Sequence, residues 1–134
     1  MKASILALAI SAAALLSSCS TCPMGHEITS PSKVEHVVLI WLKKPGDQAA
    51  REQVIREAKK FQAEIREIKH LSVGIPLVSE RAVVDDSFDV GLVMRFANAS
   101  DLSVYEKHPV HTESVASVLR PLSKKLLVYD IVTH

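Results

Sequence analysis

Val34-Glu35-His36-Val37-Val38-Leu39-Ile40-Trp41-Leu42-Lys43 is dense in β-branched and aromatic residues and reads as a strand. Side chains alternate across a strand, so His36, Val38, Ile40 and Leu42 share one face while Val37, Leu39 and Trp41 share the other. Both faces are apolar. An antiparallel sheet covered by helices on one side only should show water a polar face. This strand therefore requires cover on two sides, and that requirement decides the architecture.

Reading outward, Pro45-Gly46-Asp47 makes a turn and supplies an Asp N-cap. From Asp47 to Lys69, Val54, Ala58, Phe61, Ile65 and Ile68 recur at helical spacing with Arg, Lys and Glu opposite, which predicts a long amphipathic helix. Leu71 to Val78 reads as a second strand, and Pro76, which cannot donate to a central ladder, puts it at a sheet edge. Residues 79–87 form a polar connection around Asp85-Asp86. Phe88 to Phe96 reads as a third strand, with Phe88, Val90, Leu92, Met94 and Phe96 on one face and Asp89, Gly91, Val93 and Arg95 on the other.

Ser100 is positioned to cap a short helix ending near Lys107, with Leu102 and Tyr105 on one side. His108 then precedes Pro109, which suits the first position of another helix. That helix carries His111, Val115, Val118 and Leu122 on one stripe, and Leu126 to Val132 reads as the last strand. The order β-α-β-β-α-β matches the ferredoxin-like α+β motif, one antiparallel sheet with helices on one face. The last strand repeats the anomaly of the first: Leu127, Tyr129 and Ile131 lie opposite Leu126, Val128 and Val132. A second copy of the same sheet is the economical cover, which predicts a homodimer built on the face bearing Leu39, Trp41, Tyr129 and Ile131.

Residues 1–18 precede this domain with the parts of a secretory leader: Lys2, an apolar run from Ala3 to Leu16, and small residues before Cys19. The run is too short to span a bilayer, which takes roughly 20 residues. Leu16-Ser17-Ser18-Cys19 resembles a bacterial lipobox, whose cysteine is acylated and becomes the new N-terminus. Residues 19–33 then read as the lipidated cysteine and a flexible tether, with Pro23, Gly25 and Pro31 breaking any periodicity. With Cys19 lipidated, Cys22 has no partner within the chain. Ser20, in place of the aspartate that retains lipoproteins at the inner membrane, points to the outer membrane, facing the periplasm. The chain carries 16 Lys and Arg against 15 Asp and Glu, and Lys2 is the leader's only charge, so the mature segment is formally neutral. Neutrality argues against nucleic-acid binding and against polybasic attachment to lipid. Met24 and His26 lack spaced partners, and no metal site or cofactor is expected.

The folded segment, residues 34–132, resembles the dimeric α/β-barrel or Dabb domain, also called the stress-responsive A/B barrel. The resemblance rests on Val34-Glu35-His36-Val37-Val38, on Asp89-Val90-Gly91-Leu92-Val93-Met94-Arg95-Phe96, on Tyr105-Glu106-Lys107-His108-Pro109-Val110-His111 and on Leu126-Leu127-Val128-Tyr129-Asp130. It implies a homodimer of facing sheets and a pocket in each subunit between sheet and helices. In plant polyketide cyclases of the family, residues matching Tyr105 and His111 are catalytic and one matching His36 lines the same pocket. Where those enzymes carry a second pocket histidine and a first-helix tyrosine, this chain offers Val90 and Ala58.

The residues themselves are compatible with that chemistry. An imidazole accepts a proton near neutral pH, and a neighbouring phenol orients a carbonyl. A hydrogen-bonded core histidine on an apolar face is the plainer alternative. The expected cavity places His111, Tyr105 and His36 together with Val38, Ile40, Val90 and Leu92 as apolar walls. Arg95, Asp89 and Asp130 read as solvated or dimer-contact charges, and Trp41 and Phe61 as core. Together these features predict an envelope lipoprotein that binds a small apolar ligand. The alternative is a cofactor-free, cyclase-like or lyase-like enzyme with His111 as base and Tyr105 as orienting acid, acting on a carbonyl or phenolic substrate.

Overall fold

A computed structural model describes residues 32–134, so the leader, Cys19 and nearly all of the tether lie outside the described residues. Four strands, β1 (Val34–Leu42), β2 (His70–Gly74), β3 (Val90–Phe96) and β4 (Ser123–Val132), form one sheet in the order β2-β3-β1-β4. Every pairing is antiparallel. Helix α1 (Gln48–Glu64) joins β1 to β2, and α2 (Ala99–Lys107) and α3 (Pro109–Ser114) follow β3. Helix α3 runs on through a π-helical turn (Val115–Leu119) and a last helical turn (Arg120–Leu122) into β4. This is the ferredoxin-like arrangement.

The core is assembled entirely from residues 34–119, with Ile40, Leu42, Val90 and Met94 of the sheet against Val54, Ala58 and Phe61 of α1. Along β1 buried and half-buried residues alternate: His36, Val38, Ile40 and Leu42 lie under the helices, and Val37, Leu39 and Trp41 face away. The register places Tyr129 opposite Val37 and Leu127 opposite Leu39 on that outer face. There Val93, Tyr129 and Ile131 are 37 %, 50 % and 51 % exposed, so the isolated subunit leaves an apolar sheet face in water.

Several boundaries differ from the sequence reading, each for a local reason. Asp47 caps α1 by accepting from the Ala50 N–H, but the helix stops at Glu64, where Ile65 turns extended. Ile65 and Ile68 stay buried without helical geometry. Strand β2 lies at the sheet edge and ends at Gly74, before Pro76. The cap of α2 is the Asn98 side chain, which accepts from the Asp101 N–H at 2.9 Å, not Ser100. Phe88 breaks the expected alternation. Its ring lies over Gly91, where a Cβ would meet Phe88 Cε2 at 3.1 Å, and edge-on to Trp41 at 6.4 Å, on the outer face.

Asp89, read as a solvated or interface charge, is instead buried at 3 % exposure. Its carboxylate accepts from the Leu42 N–H at 2.9 Å, the Gly46 N–H at 2.7 Å and Arg51 Nη2 at 2.8 Å. Burial opposes its ionisation, but those donors prevail and hold the carboxyl below its ordinary value. Gly46 adopts φ +77°, a conformation that favours glycine, and so presents its N–H within this corner. Asp89 thus ties the end of β1 and the start of α1 to the start of β3.

Candidate functional site

A cavity of about 390 Å³ lies between the helix-side face of the sheet and the helices. His36, Tyr105 and His111 all line it, together with Val38, Ile40 and Leu92 as expected apolar walls. Val90 does not. It is completely buried opposite Ile40, where it belongs to the core beneath the cavity rather than to its lining.

His36 reaches the cavity because strand alternation points it toward the helices with Val38 and Ile40. Its cross-strand neighbour on β4 is Asp130, and side chains directly opposite in an antiparallel pair share a face. His36 Nδ1 and Asp130 Oδ1 are 2.6 Å apart. A carboxylate can only accept here, so Nδ1–H is the donor and Nε2 remains the second ring nitrogen. Asp130 is therefore a partner of the site rather than a solvated or interface charge, although its side chain is 46 % exposed.

Tyr105 is carried in by α2 and is buried among rings. Phe96 lies at 5.2 Å, Phe61 at 6.1 Å edge-on and His36 at 5.7 Å edge-on. Burial pushes its phenol well above the ordinary value, and the Glu106 carboxylate adds to the effect. The hydroxyl stays protonated at neutral pH and, since no buried polar side-chain atom among the described residues is left without a partner, its uncommitted donor opens onto the cavity. It is a donor in search of an acceptor.

His111 packs against Tyr105 with 4.3 Å between ring centroids and against Phe61 at 5.6 Å. Its Nδ1 lies 3.0 Å from the Glu106 carbonyl oxygen, which can only accept, so Nδ1 carries the proton and Nε2 the lone pair. Burial pushes the imidazole below its ordinary value; the Glu106 carbonyl works the other way and His36 adds to the lowering. The ring is neutral at pH 7 and able to accept a proton. No hydrogen bond joins Tyr105 to His111 among the described residues. His108 acts as a helix-start residue, its Nδ1 accepting from the Val110 N–H at 3.3 Å.

The remaining lining was not singled out from the sequence. Phe61, read as plain core, forms part of the wall, as does Met94. Leu126 and Val128 of β4 close one side at 38 % and 47 % exposure. Val115, Leu119 and Arg120 come from the helix that follows α3, and Glu106 from α2. Among the described residues no cluster of three or more His, Cys, Asp or Glu side chains could hold a metal ion.

The stress-responsive A/B barrel domain model matches residues 34–133. A Dabb-family protein of ferredoxin-like fold from Mesorhizobium loti is 25 % identical, with a TM-score of 0.64, and the match covers 77 % of this chain and 98 % of that one. A hydroxynitrile lyase from Passiflora edulis is 22 % identical with a TM-score of 0.68, covering 78 % of this chain and 95 % of the lyase. A dimeric ferredoxin-like protein of unknown function from Thermobifida fusca is 20 % identical with a TM-score of 0.62, covering 76 % and 92 %. No functionally curated protein matches the chain.

Proposed function

The chain belongs to the stress-responsive A/B barrel family, and from that premise we propose that it is a homodimeric, lipid-anchored envelope protein whose subunits each bind a small apolar molecule. One observation carries the binding role: the cavity of about 390 Å³ has mostly apolar walls with His36, Tyr105, His111, Glu106 and Arg120 among them, the usual composition of a small-molecule site. The test is calorimetric titration with a simple alkylphenol. Wild type should bind, and His111→Ala should weaken binding while the circular dichroism spectrum stays unchanged. Equal affinity with a loss of thermal stability would mean that His111 is only core.

The dimer is proposed on the outer sheet face. Support comes from the exposed Val93, Tyr129 and Ile131 and from family neighbours described as dimeric. Leu39→Glu should give monomers by sedimentation. Leu39 is a cleaner probe than Trp41, because Lys125 Nζ lies 4.3 Å above the Trp41 ring and would pair with a carboxylate there. The anchor is proposed at Cys19, with the outer membrane as its location. Mass spectrometry of the mature N-terminus should show an acylated Cys19, and fractionation should place the protein.

A second reading, cofactor-free proton transfer, is favoured by the His36–Asp130 pair. A histidine held by a carboxylate, a neutral His111 and a protonated Tyr105 around one cavity are the components of acid–base work. On an enolisable carbonyl compound, His111 Nε2 would take the proton from the α-carbon. The C–H electron pair would pass into the carbonyl, and the Tyr105 hydroxyl would donate a hydrogen bond to the developing oxyanion. Deuterium exchange at the α-position of an apolar ketone, lost in both His111→Ala and Tyr105→Phe, would support this reading. No exchange above buffer would leave binding alone.

A further inference from the structure

We infer that the molecule held in this cavity carries an anionic head group, a carboxylate, which Arg120 receives at the cavity mouth. The inference rests on the binding role proposed above and specifies the ligand class: an apolar body of medium length ending in a carboxylate.

Two independent observations lead to Arg120. The first is how it reaches the cavity. In a regular α-helix, successive residues turn by about 100°, and the stripe containing His111 and Val115 continues through Val118 and Leu122. The observed lining is instead His111, Val115, Leu119 and Arg120. The cause is the π turn over Val115–Leu119, in which the Arg120 N–H donates to the Val115 carbonyl five residues back. Widening the helix there shifts the cavity-facing set by about one residue and brings a guanidinium to the mouth. Such single π turns are frequent at functional sites.

The second observation is the state of its charge. Arg51, Arg56, Arg66 and Arg95 each pair with a carboxylate of this chain. Arg120 and Arg81 form no ion pair among the described residues, and of the two only Arg120 lines the cavity, where Glu106 also lies. A planar guanidinium with its donors unspent, beside a cavity whose other polar side chains are the His–Tyr group and Glu106, is suited to a carboxylate held by two parallel hydrogen bonds. The apolar body would lie along Ile40, Leu126 and Val128. Glu106 opposes an anion, and its removal should therefore strengthen binding.

The probes are octanoate and 1-octanol, which share a chain and differ in charge, titrated calorimetrically at pH 7 into residues 20–134, which contain the whole described core. Wild type should bind octanoate at least about tenfold more tightly than octanol, the value of a charge-assisted hydrogen bond of roughly 1.5 kcal/mol. Arg120→Gln should remove that preference and leave octanol affinity unchanged, and Arg120→Lys should retain part of it. Glu106→Gln should tighten octanoate alone. Equal affinities in wild type, or a preference that survives Arg120→Gln, would overturn the anion assignment while leaving the binding role intact. Failure of both probes to bind would overturn the binding role as well. Arg120 is exposed, so its variants should fold.

Discussion

Asp89 and Asp130 sit at opposite ends of β1, one beside each of its neighbours in the sheet, and they use their carboxylates in opposite ways. Asp89 is enclosed and spends its oxygens on two backbone N–H groups and Arg51, with nothing left to offer a ligand. Asp130 is half exposed and spends one short bond on His36, whose other nitrogen stays uncommitted at a cavity. A carboxylate enclosed with all its partners in its own chain holds elements together. One that orients a single imidazole prepares a group for a ligand. Where each carboxylate's bonds lead, to the scaffold or to a cavity imidazole, separates the two more sharply than charge alone.

The largest effect expected from that contrast is at Asp89. Asp89→Ala leaves Arg51 and two backbone N–H groups without their acceptor, and should cost about 3–5 kcal/mol in urea unfolding. A loss below about 1 kcal/mol would break the comparison, since the corner would then be ornamental. Asp130→Ala should cost only about 1 kcal/mol, because its carboxylate is half exposed and solvent screens the pair. Its consequence should appear instead in alkylphenol affinity. Asp130→Asn, which can still accept from Nδ1–H, should restore that affinity if orientation is what matters.

Tyr105→Phe sharpens the same contrast from the other side. Its hydroxyl makes no hydrogen bond among the described residues, so its removal should change stability by less than about 0.5 kcal/mol while lowering affinity for a carbonyl or phenolic ligand. A large stability loss would assign Tyr105 to the scaffold. The smallest effect is a pH dependence. His111 is held below its ordinary value of 6.5, so between its folded value and 6.5 the unfolded chain binds the extra proton. Stability should therefore begin to decline as pH falls below about 6.5, and His111→Gln should flatten that limb in thermal melts. Asp89, also depressed, contributes stability that is full above its ordinary 3.8 and is lost as pH falls from there through its lower folded value. The enclosed carboxylate should thus govern the more acidic limb.

These contrasts also show what could be read from the amino-acid order. Element order, the edge position of the Pro76 strand and the two apolar faces of β1 follow from local sequence signals, whereas the grouping of His36, Tyr105 and His111 around one pocket is what the family resemblance implies. The His36–Asp130 bond does not, because it depends on the β1–β4 register, which brings together residues 94 positions apart. Asp89 was misread because the alternation counted through Phe88 fails where that ring crosses to the outer face over Gly91. Val90 was placed on the cavity wall because alternation fixes a face but not a position along it. Val118 was expected in the stripe because a period of 3.6 residues has no means of registering a π turn.

That turn has a consequence for how the family can diversify. A π turn is what a helix becomes when it gains one residue without breaking. Deleting a single codon between 115 and 119 would restore the α-helical frame and leave Leu119 and Arg120 over the cavity, because the residues beyond the turn keep their places when the extra one is lost. The sheet, the Asp89 corner and the His36–Asp130 pair, all built from other segments, would be untouched. The residues that face the cavity beyond the turn are thus insulated from its length, and ligand preference would move from charged to neutral molecules by substitution at Arg120 itself.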